Sequence, residues 1–373
     1  MICGTKMRFH VLGVPHTQTT REFSACAYTQ KVWKFCKMMS ERGHYIIHYG
    51  HEYSNPECDE HVNVLDHEVW DRVYGEHDYK SKFFTYDSND EAYQTFFKNA
   101  IEEIGKRKQP NDFILPFWGN GVRPICDAHP DLITVEPGIG YPWSIWAKWK
   151  VFESYAIYHA YCGLDRVAHC NQEWYEVVIP NYFDLSEFEY CEDKEDYFLY
   201  VGRVFDGKGV NIAIEVTEKL GVKLKIAGQL SDDYPSADSF PDHVEYVGYV
   251  GVEERKQLMK HAVASFLPSM YVEPFGGVQI ENLLCGTPTI TTDWGAFAEN
   301  NIEGVTGYRC RTFNDFVDAA LKCWDKRIDY KTCREHGEKF SLENIAPKYE
   351  KYFQDILNVY TKNGWYHLKS ELQ

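Results

Sequence analysis

The chain runs to 373 residues, past the size at which one hydrophobic core usually keeps growing, so two domains are expected. Its 44% hydrophobic and 25% charged composition is that of an ordinary soluble protein, and no window approaches the ~20 apolar residues of a membrane span. A formal net charge of −17 argues against nucleic acid and anionic membrane surfaces as partners, and a bound anion would need a few basic groups focused at one cleft.

Residues 7–15 read as a first buried strand, closed by Gly13 and Pro15. A polar loop over 16–22 leads into a helix with apolar positions at Tyr28, Val32, Phe35, Cys36 and Met39, and residues 45–49 form a second strand. Strand, helix and strand with short connections make a βαβ unit, which implies a parallel sheet. Residues 113–117, 132–136 and 176–180 are further strands, 90–108 are helical, and 144–162 read as an aromatic-rich helix. In that last span Trp143, Trp146, Trp149 and Phe152 recur every third residue, a spacing that suits core packing, a sugar platform or a membrane-interface contact. Residues 184–196 are acidic, lack an apolar period and serve as linker. The rhythm then restarts, with strands at 197–201, 223–227, 244–247, 263–267 and 287–291, a helix at 209–220 and mainly helix beyond Asp315. Two doubly wound halves follow.

The aromatic share of 16% is high, which suits carbohydrate platforms but also plain core. Twelve cysteines are irregularly spaced without any Cys-x-x-Cys, so reduced thiols fit better than a zinc site or a disulfide framework. Residues 1–15 have too short an apolar run for a signal peptide, and the expected location is cytoplasmic.

The chemistry concentrates in Glu273-Pro274-Phe275-Gly276-Gly277-Val278-Gln279-Ile280-Glu281. The glycine pair removes side chains where a helix should begin, and amides at a helix N-terminus attract phosphate. Glu273 lies before that helix and Glu281 about a turn inside it, so the two carboxylates can reach different parts of one ligand. Gly202-Arg203 and Lys208-Gly209 occupy another strand-to-helix junction, where a guanidinium and an ammonium suit a diphosphate. Taken singly, these four side chains could be ordinary surface charge.

Together the segments resemble the family-4 retaining glycosyltransferases. Glu273 and Glu281 stand at that family's Glu-x7-Glu spacing with Phe-Gly between. Cys285-Gly286-Thr287-Pro288, then Gly295 to Glu299 and Val305-Thr306-Gly307, are similar to its downstream segment. Ile179-Pro180-Asn181 with Asp184 and Phe188 looks like its interdomain segment, with Tyr182 in place of the usual small residue. Val247-Gly248-Tyr249-Val250 resembles the stretch whose backbone holds the nucleobase, although an ordinary strand end reads the same way. The likeness covers residues 179–308.

What the resemblance implies is a GT-B architecture of the α/β class, two Rossmann-like doubly wound domains facing a central cleft. Residues 1–188 are expected on the acceptor side and 189–345 on the donor side, with 346–373 a helical segment packing back on the first domain. The implied reaction moves a sugar, with retention, from a nucleoside-diphosphate-sugar of UDP or GDP type to a glycan or other hydroxyl acceptor. Arg203, Lys208 and the Gly276–Val278 amides would stabilise charge on the leaving diphosphate. Glu273 would bind sugar hydroxyls beside an oxocarbenium-like centre, and Glu281 the ribose hydroxyls. Phe275, Gly202, Gly248, Tyr249 and Val250 complete the expected donor site. No cofactor is implied, and the absence of any Asp-x-Asp agrees with a metal-independent reaction.

The first half departs from the family pattern. The loop after its first strand reads Pro15-His16-Thr17-Gln18-Thr19-Thr20 where many relatives carry Gly-Gly. No histidine aligns after the middle strand, and Glu136, near Gly138, stands in that place. His16, Thr17, Glu136 and Gly138 are therefore the acceptor-side candidates, whereas His10, His44, His48 and His169 read mostly as core-edge or surface residues. Two other readings remain at this stage, a GT-B-fold nucleotide-sugar epimerase and a catalytically idle nucleotide-sugar-binding protein.

Overall fold

The computed structural model describes residues 6–80, 84, 86–165, 176–231, 234 and 236–361; His169 lies outside them. Two parallel sheets organise the chain. The first contains β1 (Arg8–Leu12), β2 (Tyr45–His51), β3 (Glu60–Leu65), β4 (Phe113–Pro116), β5 (Ile133–Ile139), β6 (Trp149–Phe152) and β7 (Glu176–Val178), in the order β3-β2-β1-β4-β5-β6-β7. The second contains β8 (Tyr197–Val201), β9 (Lys223–Ala227), β10 (Val244–Gly248), β11 (Ser265–Leu267), β12 (Thr289–Thr292) and β13 (Gly307–Cys310), in the order β10-β9-β8-β11-β12-β13. The inner strands β1, β4 and β8 are buried almost throughout, as in a sheet covered by helices on both faces. This is the α/β, doubly wound class that the sequence predicts.

In each sheet the winding direction reverses once, between β1 and β4 and between β8 and β11. A crevice opens beyond the strand ends at such a reversal, so the topology fixes where ligands can enter before any side chain is considered.

The expected helix over 144–162 is replaced by a loop, strand β6 and the helix Tyr155–Asp165. Ser144, the first residue of the span, holds a left-handed φ of 59°. The run Trp149 to Phe152 instead pairs with β5 and β7, and all four of its residues are buried. The aromatic stripe thus divides, with Trp149 and Phe152 in the core and Trp143 outside it. Strands β3 and β13 and the helix His67–Tyr74 lie where the sequence shows no clear period.

The final helix, Leu342–Thr361, leaves the second half and lies in the first half's core. Leu342, Ile345, Tyr349, Phe353 and Ile356 pack there with Phe9, Phe35 and Phe113. The chain crosses between the halves at 183 and again at 341, and the crossings pair as a short parallel bridge. Phe183 N donates to Phe340 O at 2.9 Å and Leu342 N to Phe183 O at 3.0 Å.

Candidate active site

The crevice at β8 and β11 gathers several of the sequence-predicted residues. Gly202 follows β8, Lys208 stands in the turn Asp206–Lys208, and Glu273 and Gly276–Val278 follow β11 into the helix Gly277–Leu284. All of them line one small cavity, together with Ser269 and Phe297. Glu273 Oε2 accepts from Lys208 Nζ at 2.8 Å and from Ser269 Oγ at 2.8 Å. Burial on its own would push the Lys208 ammonium down, but the Glu273 carboxylate, with Tyr271 beside it, outweighs burial and holds it above the usual lysine range.

Gly276 shows why a glycine is needed at the turn. Its φ is 79°, and a Cβ there would come within 2.6 Å of the Phe297 ring. The chain can therefore enter the helix only without a side chain, and the first-turn amides of Gly277 and Val278 border the cavity. Phe275 turns the other way. It is buried against Phe183 and Phe340, so its ring holds the helix onto the core and does not line the cavity. Arg203 is exposed outside the cavity lining, its guanidinium 5.8 Å over the Phe205 ring.

Glu281 is buried on the same helix, with Arg255 Nε 3.5 Å from its Oε2. That oxygen has no hydrogen-bond partner and so keeps the capacity to accept from a hydroxyl. Lys34, buried in the first half, is pushed below the usual lysine range by burial, and Glu281 is the leading charge that opposes this. Gly248 and Tyr249 end β10, where the Tyr249 hydroxyl lies 3.1 Å from Ser24 Oγ in the first half; Val250 packs into the core.

The four first-half candidates are all partly or wholly internal. His16 is buried, with Nδ1 2.7 Å from the Tyr93 hydroxyl and its ring stacked on Tyr86 at 4.9 Å. Burial lowers its pKa to about 3, so it is neutral near pH 7. Thr17 Oγ1 is 2.5 Å from Thr29 Oγ1. Glu136 is fully buried, accepting from Tyr141 Oη at 2.6 Å and from the amides of Trp146 and Ala147; burial raises its pKa. Gly138 O accepts from Lys31 Nζ at 2.8 Å. None of the four touches the cavity at Glu273.

Against this geometry, residues 184–340 match the family model described as Glycosyl transferases group 1. The second half of the chain is thus similar to the group 1 glycosyltransferases. A glycogen synthase of Mycobacterium tuberculosis is 37% identical over 122 residues, covering 30% of this chain and 29% of that protein. An uncharacterized glycosyltransferase of Methanocaldococcus jannaschii is 29% identical over 185 residues, 45% of each chain. The chain thus spans less than half of these relatives. Among solved structures, sucrose-phosphate synthase from Thermosynechococcus elongatus superposes with a TM-score of 0.71 over 95% of this chain and 100% of that one, at 16% identity. Anabaena HepE in complex with UDP and glucose superposes at 0.65 over 94% and 100%, at 14% identity. At such identities the likeness speaks for the GT-B fold alone.

The structure also brings to the site residues that sequence reading missed. Gly228 ends β9 between Gly202 and Gly248, and a Cβ on it would lie 1.8 Å from Gly202 O, so the strand ends pack too closely for any side chain. Glu153, buried at the end of β6, accepts from Lys31 Nζ at 2.6 Å and Asn181 Nδ2 at 2.7 Å. Next to it Ser154 Oγ donates to Pro274 O at 2.5 Å, a direct contact between the halves beside Glu273. Glu299 accepts from the amides of Tyr155 and Ala156, capping a first-half helix from the second half. Lys34 and Arg255 had no motif around them to mark them out. Among the described residues no three His, Cys, Asp or Glu side chains are grouped as metal ligands, ten cysteines are unpaired, and no helix is long and apolar enough to cross a membrane.

Proposed function

We propose that the protein is a retaining, metal-independent glycosyltransferase that moves a sugar from a nucleoside-diphosphate-sugar, of UDP or GDP type, to a hydroxyl acceptor. The observation that carries this reading is the Lys208–Glu273 pair, set against the glycine-cleared helix start at Gly276 to Val278. The diphosphate lies against the Lys208 ammonium, the first-turn amides and the Arg203 guanidinium. The sugar lies toward Glu273, and the ribose hydroxyls donate to the Glu281 carboxylate. Gly202, Gly228 and Gly248 leave a bare backbone edge for the base, with Tyr249 and Val250 beyond it.

In the transfer the bond from the sugar's anomeric carbon to the phosphate oxygen breaks, and both electrons leave with the diphosphate. The acceptor oxygen forms the new bond on the same face and passes its proton to the departing phosphate. Lys208 and the amides stabilise the charge that accumulates there, and Glu273 stabilises the electron-poor sugar. Residues 1–188 act as the acceptor domain, 189–345 as the donor domain, and the helical part of the 346–373 segment, to Thr361, as a return to the first, residues 362–373 lying outside the described ones, with closure pivoting near 184–196.

Thermal-shift titration with UDP, GDP and their sugars, followed by product analysis with and without glycan acceptors, tests this reading. A rise in melting temperature with one nucleotide and acceptor-dependent release of that nucleotide are expected. Rearranged sugar formed without acceptor would mean an epimerase, and binding with neither transfer nor slow hydrolysis an idle protein; either outcome overturns the proposal.

A further inference from the structure

We propose that the cavity at the β1–β4 reversal is a binding site for an electrically neutral glycan chain, which serves as the acceptor. The cavity measures about 670 Å³, within the usual size of a small-molecule site. It lies at the crevice that the first sheet's topology creates. Tyr28 comes from the helix after β1, Trp118 from the segment after β4, and Tyr141 and Trp143 from the loop after β5.

Its walls are aromatic and held in place. Tyr28 meets Trp118 edge-on at 4.9 Å, Trp118 Nε1 donates to Tyr93 Oη at 3.0 Å, and His16, Tyr86 and Tyr93 cluster with their rings near-parallel. Buried His16 thus supports the wall from behind. Trp143 remains 68% exposed at the rim, an indole whose apolar faces folding leaves in water. Between the rings the lining is amide and hydroxyl, including Asn89, Asn120 and Ser144.

Charge decides the ligand class. Among the described residues the lining holds one cation and one anion, Arg123 and Asp127, and they pair with each other at 3.2 Å. The two charges sum to zero, so this lining offers neither an anionic nor a cationic ligand a net opposite charge. A pyranose presents apolar C–H faces to rings and hydroxyls to amides, and carries no charge. A relay of side-chain contacts links it to the proposed chemistry. Lys31 Nζ sits 4.8 Å over the Tyr28 ring and pairs with Glu153, whose neighbour Ser154 contacts Pro274.

Use of the pocket as an acceptor site rests on the transferase reading; glycan occupancy does not. Saturation-transfer NMR with maltotetraose, cellotetraose and chitotetraose, and with glucose 6-phosphate as the anionic probe, tests occupancy on the full chain. At least one tetrasaccharide should bind more tightly than glucose 6-phosphate. Trp143→Ala should weaken it about tenfold, the loss of one aromatic contact, while Trp143→Phe stays within about threefold. Absence of binding by all three tetrasaccharides, tighter binding of the phosphate, or an unchanged affinity in Trp143→Ala would each overturn the proposal. A nucleotide thermal shift on the wild type separates the two readings: if glycans bind and no nucleotide does, the glycan site stands and the transferase reading falls.

Discussion

At the scale of single residues, Lys208 and Glu273 show how one contact can serve both fold and chemistry. Each side chain keeps limited access to solvent, which is needed if a ligand is to reach them, and each satisfies the other in the absence of a ligand. Lys208→Met leaves Glu273 with Ser269 as its hydrogen-bonding neighbour, so the variant should lose about 1–3 kcal/mol, less than a fully buried pair would because solvent still screens this one. Transfer should fall by about 10²–10³, the size of a lost charge-stabilising donor. Because the folded pKa of Lys208 is raised, the pair's contribution is complete below the ordinary lysine value of about 10.4 and fades as pH rises through the folded value. Urea unfolding at pH 8 and at pH 11 checks the sign, since the gap between wild type and Lys208→Met should narrow at the higher pH. A variant with wild-type turnover would remove Lys208 from the phosphate site.

At the scale of elements, the first sheet's free edge is set apart by its histidines. His48 and His51 lie on β2 and His61 on β3, and His16 lies in the loop after β1. Burial lowers all four, His51 to about 4 and His16 to about 3; His48 also faces His61 with their Nδ1 atoms 3.0 Å apart. Above about pH 6.5 these imidazoles are neutral in folded and unfolded chains alike. Below it the unfolded chain takes up protons that the folded chain refuses, so stability is lost as pH falls toward the folded values. In the second half His336, on the peripheral helix Tyr330–Gly337, is lowered in the same way, whereas carboxylates such as Asp315 and Glu253 are held low and matter only in stronger acid. Measured against the intrinsic exchange rate, which itself falls with pH, amide protection in β2 and β3 should therefore drop between pH 6.5 and 4.5, while β8, β9 and β11 keep theirs. Earlier loss in the second sheet would contradict this assignment.

The same contrast between the halves explains what the sequence made legible. Strands β8 and β9 fall on their predicted residues because β8 is an apolar run and β9 alternates lysine with apolar residues, each closed by glycine, and the Glu273–Glu281 spacing is local, contained in one loop and two helical turns. In the first half, the three-residue spacing of Trp143 to Phe152 mimics a helical stripe, but Ser144 is left-handed and residues 149–152 pair with β5 and β7 instead. His16 opens a polar loop in sequence, yet the rings of Tyr86, Tyr93 and Trp118, at least 70 residues later, enclose it. Lys31, Glu153 and Asn181 meet only through tertiary packing, so no spacing along the chain could have joined them.

At the scale of the whole molecule, the return of the final helix makes the first half depend on the end of the chain. The contacts across the cleft are mostly small: Arg21 pairs with Glu187 and Glu253 at the surface, and such pairs contribute little to stability. The helix Leu342–Thr361 is different in kind. Phe353 lies 4.7 Å from the Phe9 ring and 4.9 Å from the Phe113 ring, both on central strands, and Tyr349 and Ile356 extend the contact along the same face. Deleting that ring leaves a cavity against β1 and β4, so Phe353→Ala should cost about 3–5 kcal/mol. Residues 1–188 expressed alone would expose this face and should aggregate, and joining residues 342–361 to them through a flexible Gly/Ser linker should restore a soluble, cooperatively unfolding domain. Solubility, circular dichroism and denaturant unfolding of the two fragments decide the matter, and a soluble, cooperative 1–188 fragment would refute the dependence. Because the crossings at Phe183 and Ser341 are hydrogen-bonded to each other, closure has to turn about a paired hinge, and the helix that completes the first core begins at that hinge. Stability of the first half and the path of closure thus share one structural element.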